Sequence, residues 1–327
     1  MTTRARQWIR LAALAVSLAC PMAAFAVDVV KMGELPAISN VGLYIAVDKG
    51  YFQARGITVE IERFASGAKM VPALATGQLD VAIGSPSAGL YNAIAGGMDF
   101  KIVADKGQAR PGYSFTPLVV RRDLVDSGRV KSVKDLKGLK IASGAKGINL
   151  DYVLAKMLEH GGIGFDAVEV VYLGYPEAIK ALAAKAVDAA IVPEPWGMHA
   201  EQQKVGARLF LTEQTPSLST FQIAVIMYAG KFMKERPKVA REFLQAYLQG
   251  ATLYNQKGLK DPEVAGIISK HMKLPVEIIQ GTIPPYLDAG VKPRVQDLAA
   301  MQDWFHQMGW VKEKVPMERV VDLTFLE

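Results

Sequence analysis

The segment Ala73-Leu74-Ala75-Thr76-Gly77-Gln78-Leu79-Asp80-Val81-Ala82-Ile83 returns 108 residues later as Ala181-Leu182-Ala183-Ala184-Lys185-Ala186-Val187-Asp188-Ala189-Ala190-Ile191. In each copy an alanine-rich helix ends, an Asp opens a short apolar strand, and a proline-containing loop follows: Ser85-Pro86-Ser87 in one, Pro193-Glu194-Pro195 in the other. Two passages of the same kind argue for two related α/β lobes. The two Asp residues read as turn residues and not as ligands.

The pattern around each copy is consistent with this. Apolar runs at residues 27–32, 58–64, 81–83 and 101–104 read as strands. Between them, 41–52, 69–76 and 87–95 carry apolar residues at three- and four-residue spacing, as helices do. The rhythm repeats with strands at 140–142, 168–172 and 189–192 and helices at 149–159 and 176–184. Alternation of this sort predicts βαβ units and parallel sheets. Strand-like stretches at 208–211 and 221–227 follow, and then helical patterns at 238–255, 262–271 and 295–308 that would cover the sheets.

The chain has 327 residues, 50% of them hydrophobic and 21% charged, which suffices for a large core and is too apolar for disorder. Its first 26 residues hold Arg4, Arg6 and Arg10, an apolar stretch from Leu11 to Ala19, and the small-residue ending Ala24-Phe25-Ala26. That is the pattern of a secretory signal, with cleavage expected after Ala26 and a bacterial periplasm as destination. A lipoprotein reading of Cys20 is weaker, because Ser17-Leu18-Ala19 fits a lipid-attachment box poorly. Losing the segment lowers the formal charge from +6 to +3 and removes the only cysteine. A charge so mild, on dispersed lysines, predicts no nucleic-acid partner. Without thiols the mature chain is expected to form no disulfide and to use no cysteine nucleophile.

Signals for catalysis are thin. The histidines, His160, His199, His271 and His306, stand far apart and lack metal-ligand spacing, so no metal and no cofactor is expected. Gly84-Ser85-Pro86-Ser87-Ala88-Gly89 lacks the flanking glycines of a nucleophile elbow, and Gly144-Ala145-Lys146-Gly147 lacks the spacing of a nucleotide loop. The loops after the expected strands are rich in Ser, Gly and Pro and precede helix starts, where free backbone N–H groups and the helix dipole favour an anion. Ordinary N-capping explains any one of them equally well.

Further residues carry a family resemblance. The ordered set Leu43-Tyr44-Ile45-Ala46-Val47-Asp48-Lys49-Gly50-Tyr51-Phe52, Gly56-Ile57-Thr58-Val59, Gly77-Gln78-Leu79-Asp80-Val81-Ala82 and Val187-Asp188-Ala189-Ala190 through Glu194-Pro195-Trp196 resembles the solute-binding proteins of ABC importers, in the subgroup for nitrate, sulfonates, taurine and thiamine-pyrimidine precursors. The resemblance implies a type II periplasmic-binding-protein fold: two α/β lobes, a central cleft and two crossover strands, placed near 116–120 and 221–227. Lobe one would comprise residues 27–117 with a return at 223–327, and lobe two residues 118–222. It also implies capture of a small organic anion or heteroaromatic precursor by lobe closure, by a monomer that delivers it to a membrane permease, with no enzymatic activity. Enzymes of thiamine-pyrimidine or menaquinone synthesis on the same fold, and an exported ligand sensor, are the alternatives.

On that reading the ligand-binding candidates in lobe one are Ser39, Asn40, Ser66, Ser85 and Ser87. In lobe two they are Lys146, Gly147, Asn149, Tyr175, Glu194 and Trp196. Arg110, beside the first crossover, could clamp a carboxylate or sulfonate bidentately, and Lys69 and Lys106 are weaker candidates of the same kind. Trp196, expected on a loop, could stack on a flat ligand or serve the core. Glu194 would pair with a base, accept from an amine, or face away from an anion.

Overall fold

The computed structural model describes residues 27–64 and 67–327. The expected leader and the candidate Ser66 lie outside the described residues.

Among the described residues ten strands form two five-stranded sheets. They are β1 Asp28–Glu34, β2 Ile57–Arg63, β3 Val81–Gly84, β4 Phe100–Ala109, β5 Leu118–Arg121, β6 Lys140–Ser143, β7 Glu169–Tyr172, β8 Ala189–Ile191, β9 Gly206–Phe210 and β10 Phe221–Ala229. The first sheet has the order β2-β1-β3-β10-β4 and the second β7-β6-β8-β5-β9. The expectation of parallel sheets holds only in part. β1 runs parallel to β2 and β3, and β6 parallel to β7 and β8, but β10 is antiparallel to β3 and β4, and β5 to β8 and β9. Both sheets are therefore mixed, because the strand at each lobe's reversal enters from the other lobe and not through a βαβ crossover.

The two lobes share one plan: a parallel trio, an antiparallel fourth strand, then an edge strand. The sequence echo sits at the same place in each. Asp80 accepts from the Lys31 backbone N–H at 2.9 Å and pairs with Arg236, while Asp188 accepts from the Lys140 N–H at 2.9 Å and pairs with Arg121. Each Asp ties a backbone N–H of the central strand of its trio, Lys31 midway along β1 and Lys140 at the start of β6, as a structural turn residue would.

β10 is the spine of the first lobe. All nine of its residues are buried, as expected of a strand covered on both faces. Helix Val41–Asp48 packs on helix Pro237–Lys257 so closely that a Cβ on Gly250 would lie 2.0 Å from the Gly42 carbonyl oxygen; only glycine permits this approach. Among the described residues no helix is long and apolar enough to cross a membrane.

Among the described residues the chain passes between the sheets twice, in residues 110–117 and 211–220. The stretch expected as the second crossover, 221–227, lies within β10 of the first sheet, so the passage itself precedes it. The two passages are tied to each other. The Thr212 hydroxyl donates to the Thr116 carbonyl at 2.8 Å, the two hydroxyls meet at 2.9 Å, and the Gly112 N–H donates to the Glu213 carboxylate at 2.6 Å. Thr116 and Thr212 are both fully buried.

Candidate functional site

In a twisted sheet of parallel strands the loops at the carboxyl ends converge, and ligands collect there. Here the ends of β1, β3, β7 and β8, the loop after β6, the first crossing segment and the middle of β10 all meet at one cavity between the lobes. Its wall includes Ser39, Ser85 and Lys106 from the first lobe, Asn149, Tyr175 and Pro193 from the second, and Phe115 and Thr116 from the crossing. The cavity is narrow. A larger hollow of about 550 Å³ beside Arg55 and Glu242 is lined from the first lobe alone and lies on its surface.

The narrowness follows from direct contact between the lobes. Ser87 and Ile148 form an antiparallel bridge, the Ala88 N–H donates to the Gly147 carbonyl at 2.8 Å, and the Asn149 N–H donates to the Pro86 carbonyl at 3.2 Å. On the opposite rim the Ile38 N–H donates to the Glu194 carbonyl at 2.9 Å. Beside the first bridge an aromatic group spans the lobes: Tyr152 stacks on Phe221, and Phe165 meets Trp304 and Trp310 edge-on. The structure is thus that of closed lobes.

Four of the expected residues, Ser39, Ser85, Asn149 and Tyr175, stand together in the cavity wall. Burial drives the Tyr175 phenol well above its ordinary pKa, with the Asp151 charge adding to the effect, so it is a neutral hydroxyl at physiological pH. The Asn149 amide nitrogen donates to the Ile223 carbonyl at 2.7 Å, whereas its oxygen, in a residue 1% exposed, has no partner among the described residues.

The others take different places. Asn40 sits behind the wall, its amide nitrogen shared by Glu34 at 2.9 Å and the Leu35 carbonyl at 2.8 Å. Ser87 caps helix Ala88–Ala95, accepting from the Leu90 N–H at 3.2 Å; here ordinary capping is what the structure shows. Gly147 contributes backbone only, bonded across the lobes and to Asp151. Lys146 is exposed and lies over Trp310 at 5.5 Å. Arg110 is off the cavity, stacked over Tyr286 at 4.5 Å and donating to Gln108. Trp196 begins helix Trp196–Gln202 instead of lying on a loop, and it packs on the second lobe's core. Of the three roles open to Glu194, the structure shows pairing with a base: the buried carboxylate binds Arg208 at 2.5 Å and accepts from the Met198 N–H at 2.9 Å.

Lys106, weighed only lightly in the sequence, is the charged group of the wall. It is 1% exposed, and its ammonium donates to the Asn40 amide oxygen at 2.6 Å. Glu34 is turned to Arg63 at 2.9 Å, and Asp105 is taken up by Gln222 at 2.7 Å and by the N–H groups of Gly107 and Asp288. Burial pulls the Lys106 pKa down to about 7, against the pull of Glu34 and Asp105. Burial likewise lifts Asp105 to about 6, opposed by its hydrogen bonds. The available signal was the pair Asp105-Lys106 directly after the apolar run Ile102-Val103-Ala104 inside a strand.

Comparisons with known proteins fit this geometry. A family model described as NMT1/THI5 like matches residues 38–263. A protein of Brucella abortus (strain 2308), named provisionally as a binding protein, is 31% identical over 146 residues, which are 45% of this chain and 41% of that one; the match thus covers about two fifths of that relative's length. Among solved structures, the alkanesulfonate-binding protein SsuA from Xanthomonas axonopodis pv. citri bound to MOPS superposes with a TM-score of 0.74 at 20% identity, covering 91% of this chain and 99% of that one. The periplasmic nitrate-binding protein NrtA from Synechocystis PCC 6803 superposes with a TM-score of 0.74 at 19% identity, over 87% and 82%. The desulfurization enzyme DSZB shares the fold less closely, with a TM-score of 0.63 at 15% identity over 91% and 97%. The two-lobed fold of type II periplasmic binding proteins is therefore the fold of this chain.

Proposed function

This chain belongs to the NMT1/THI5-like family, and we propose that it is the periplasmic substrate-binding component of an ABC importer that captures a small organic anion by lobe closure. Sulfonates, nitrate-like anions and carboxylates are the ligand classes in view, with a heteroaromatic precursor as the remaining option. The observation that carries the proposal is the cavity itself, walled by strand ends of both lobes and by one of the two segments that join the sheets among the described residues. A ligand there touches both halves. It can shift the balance between open and closed forms only by preferring the closed one, and contacts from both lobes supply that preference. Closure excludes water and strengthens each polar contact. The closed outline is what a permease would read.

The serine, threonine and tyrosine hydroxyls and the Lys106 ammonium in one wall suit an oxyanion better than a cation. The hydroxyl, amide and ammonium groups that line the cavity from both lobes support a binding role over the enzymatic one. The similarity to the desulfurization enzyme favours the second reading, an exported enzyme acting on a sulfur-containing anion.

Thermal-shift screening of the purified protein against sulfonates, carboxylates, nitrate and aminopyrimidines tests the proposal, because a ligand at 100 times its Kd adds about 2.7 kcal/mol. A hit should leave the added compound chemically intact and should shift small-angle scattering toward the closed form. Turnover of the hit would establish the enzymatic reading, and a stabilising compound with no effect on lobe closure would remove the transport role.

A further inference from the structure

Two groups facing the cleft are left, among the described residues, without partners that match them. Lys106 carries three N–H donors, and its one acceptor among the described residues is the neutral Asn40 amide oxygen at 2.6 Å. The carboxylates nearest to it are engaged elsewhere: Glu34 by Arg63 and Asn40, Asp105 by Gln222, Gly107 and Asp288. A buried ammonium in this state calls for an anion. Across the cavity, Asn149 is 1% exposed and its amide nitrogen is fixed by the Ile223 carbonyl at 2.7 Å. Turning the amide over would set two acceptors face to face, so the orientation is determined by that bond. The amide oxygen then has no partner among the described residues, and a buried acceptor of this kind calls for a donor.

Both residues line the same cavity, one from each lobe. We propose that the ligand of this cleft is a small anion that also carries an N–H or O–H donor, its anionic oxygens held by Lys106 of the first lobe and its donor held by Asn149 Oδ1 of the second. This rests on the cleft-binding function proposed above and adds a requirement to it. A plain anion satisfies only Lys106 and leaves the Asn149 oxygen unpaired on closure. An amino or hydroxy anion satisfies both lobes at once, so its affinity is coupled to closure in a way the plain anion's is not. Sites built to hydrogen-bond a ligand group reject the analogue that lacks it, because their own buried group is then stranded.

Isothermal titration of the purified protein with matched pairs tests this: 2-aminoethanesulfonate against ethanesulfonate, and 2-hydroxypropionate against propionate, at one pH and salt concentration. The donor-bearing member should bind at least tenfold more tightly in one pair or both. Asn149→Ala should bring that ratio to within threefold while moving the plain anion's Kd by less than threefold. Lys106→Met should weaken both members at least tenfold. Asn149→Ser serves if the alanine variant does not fold, and should also compress the ratio. Equal affinities within both pairs, or an Asn149 variant that weakens both members alike as a structural residue would, overturns the inference. So does a Lys106→Met protein that binds all four as before. If anions bind without donor preference, only this inference fails. If none of the four binds and a neutral aminopyrimidine does, the anion-binding function fails with it.

Discussion

Replacing Lys106 by methionine should make the ligand-free protein more stable at neutral pH, not less. The lysine is 1% exposed, and burial lowers its pKa from 10.5 to about 7. At about 1.4 kcal/mol per pH unit, that gap corresponds to at most about 5 kcal/mol. The sign follows from proton counting. The unfolded chain keeps this proton up to about pH 10.5, whereas the folded chain releases it near 7. Between those limits the unfolded state binds more protons, so wild-type stability rises with pH through this window; below it both states are charged and the full penalty applies. Asp105, lifted to about 6, has the opposite effect: its contribution is present below the unfolded carboxylate pKa and is lost as pH rises through about 6, so it leaves the window above 7 undisturbed. Methionine fills the same stem space without charge. It strands the Asn40 amide oxygen, at about 1–3 kcal/mol, which leaves a net gain of about 2–4 kcal/mol at pH 6 to 7. Urea unfolding of both proteins at pH 6, 7, 8 and 9, without anionic ligand and with matched m-values, measures this. A variant less stable than wild type at pH 6, or a wild-type profile flat from 7 to 9, would refute the reasoning.

Arg208→Met leaves the Glu194 carboxylate buried without its cation. Breaking a buried pair from one side costs about 3–5 kcal/mol, and a loss under 1 kcal/mol in chemical unfolding would show the pair to be dispensable. Gly147→Ala puts a Cβ 3.1 Å from that of Ala88 on the facing lobe, at a position with φ of +77°. The left-handed backbone alone costs about 1–2 kcal/mol, and the cross-lobe contact should weaken binding of an anion hit about tenfold and enlarge the open fraction in scattering. Arg110→Ala, by contrast, should leave the Kd of that hit within threefold, because Arg110 lies over Tyr286 and not in the cavity wall; a tenfold loss in titration would return it to the site.

Much of the scaffold was legible because its strands and their turns are local matters. The Asp80 and Asp188 echo marks the same joint in both lobes, and the apolar runs at 81–83 and 189–192 lie on β3 and β8. The direction of the middle strands was not legible. β5 and β10 each pair with strands far away in the chain, and pairing partner is a tertiary property that periodicity does not carry. The site divides along the same line. Ser39, Ser85, Asn149 and Tyr175 follow from the rule that loops at strand ends face the cleft, but Ser87 obeys the competing rule that a serine before a helix caps it. Charge proved a poor guide. Arg110 and Lys146 stood out as charged residues in flanking loops, yet each found an aromatic ring near the surface. Lys106 was obscured by its place within a strand, where a lysine usually points to solvent and here points into the seam.

The position of β10 has a consequence for how the molecule comes into being. Its residues 221–229 slot between β3 and β4, so the first sheet stays divided until the entire second lobe has emerged from the ribosome. A chain arriving amino end first can complete the inserted half on its own schedule, while the half that starts first finishes last. Until then the facing edges of β3 and β4 are bare, and an unpaired strand edge is a template on which another extended chain can pair.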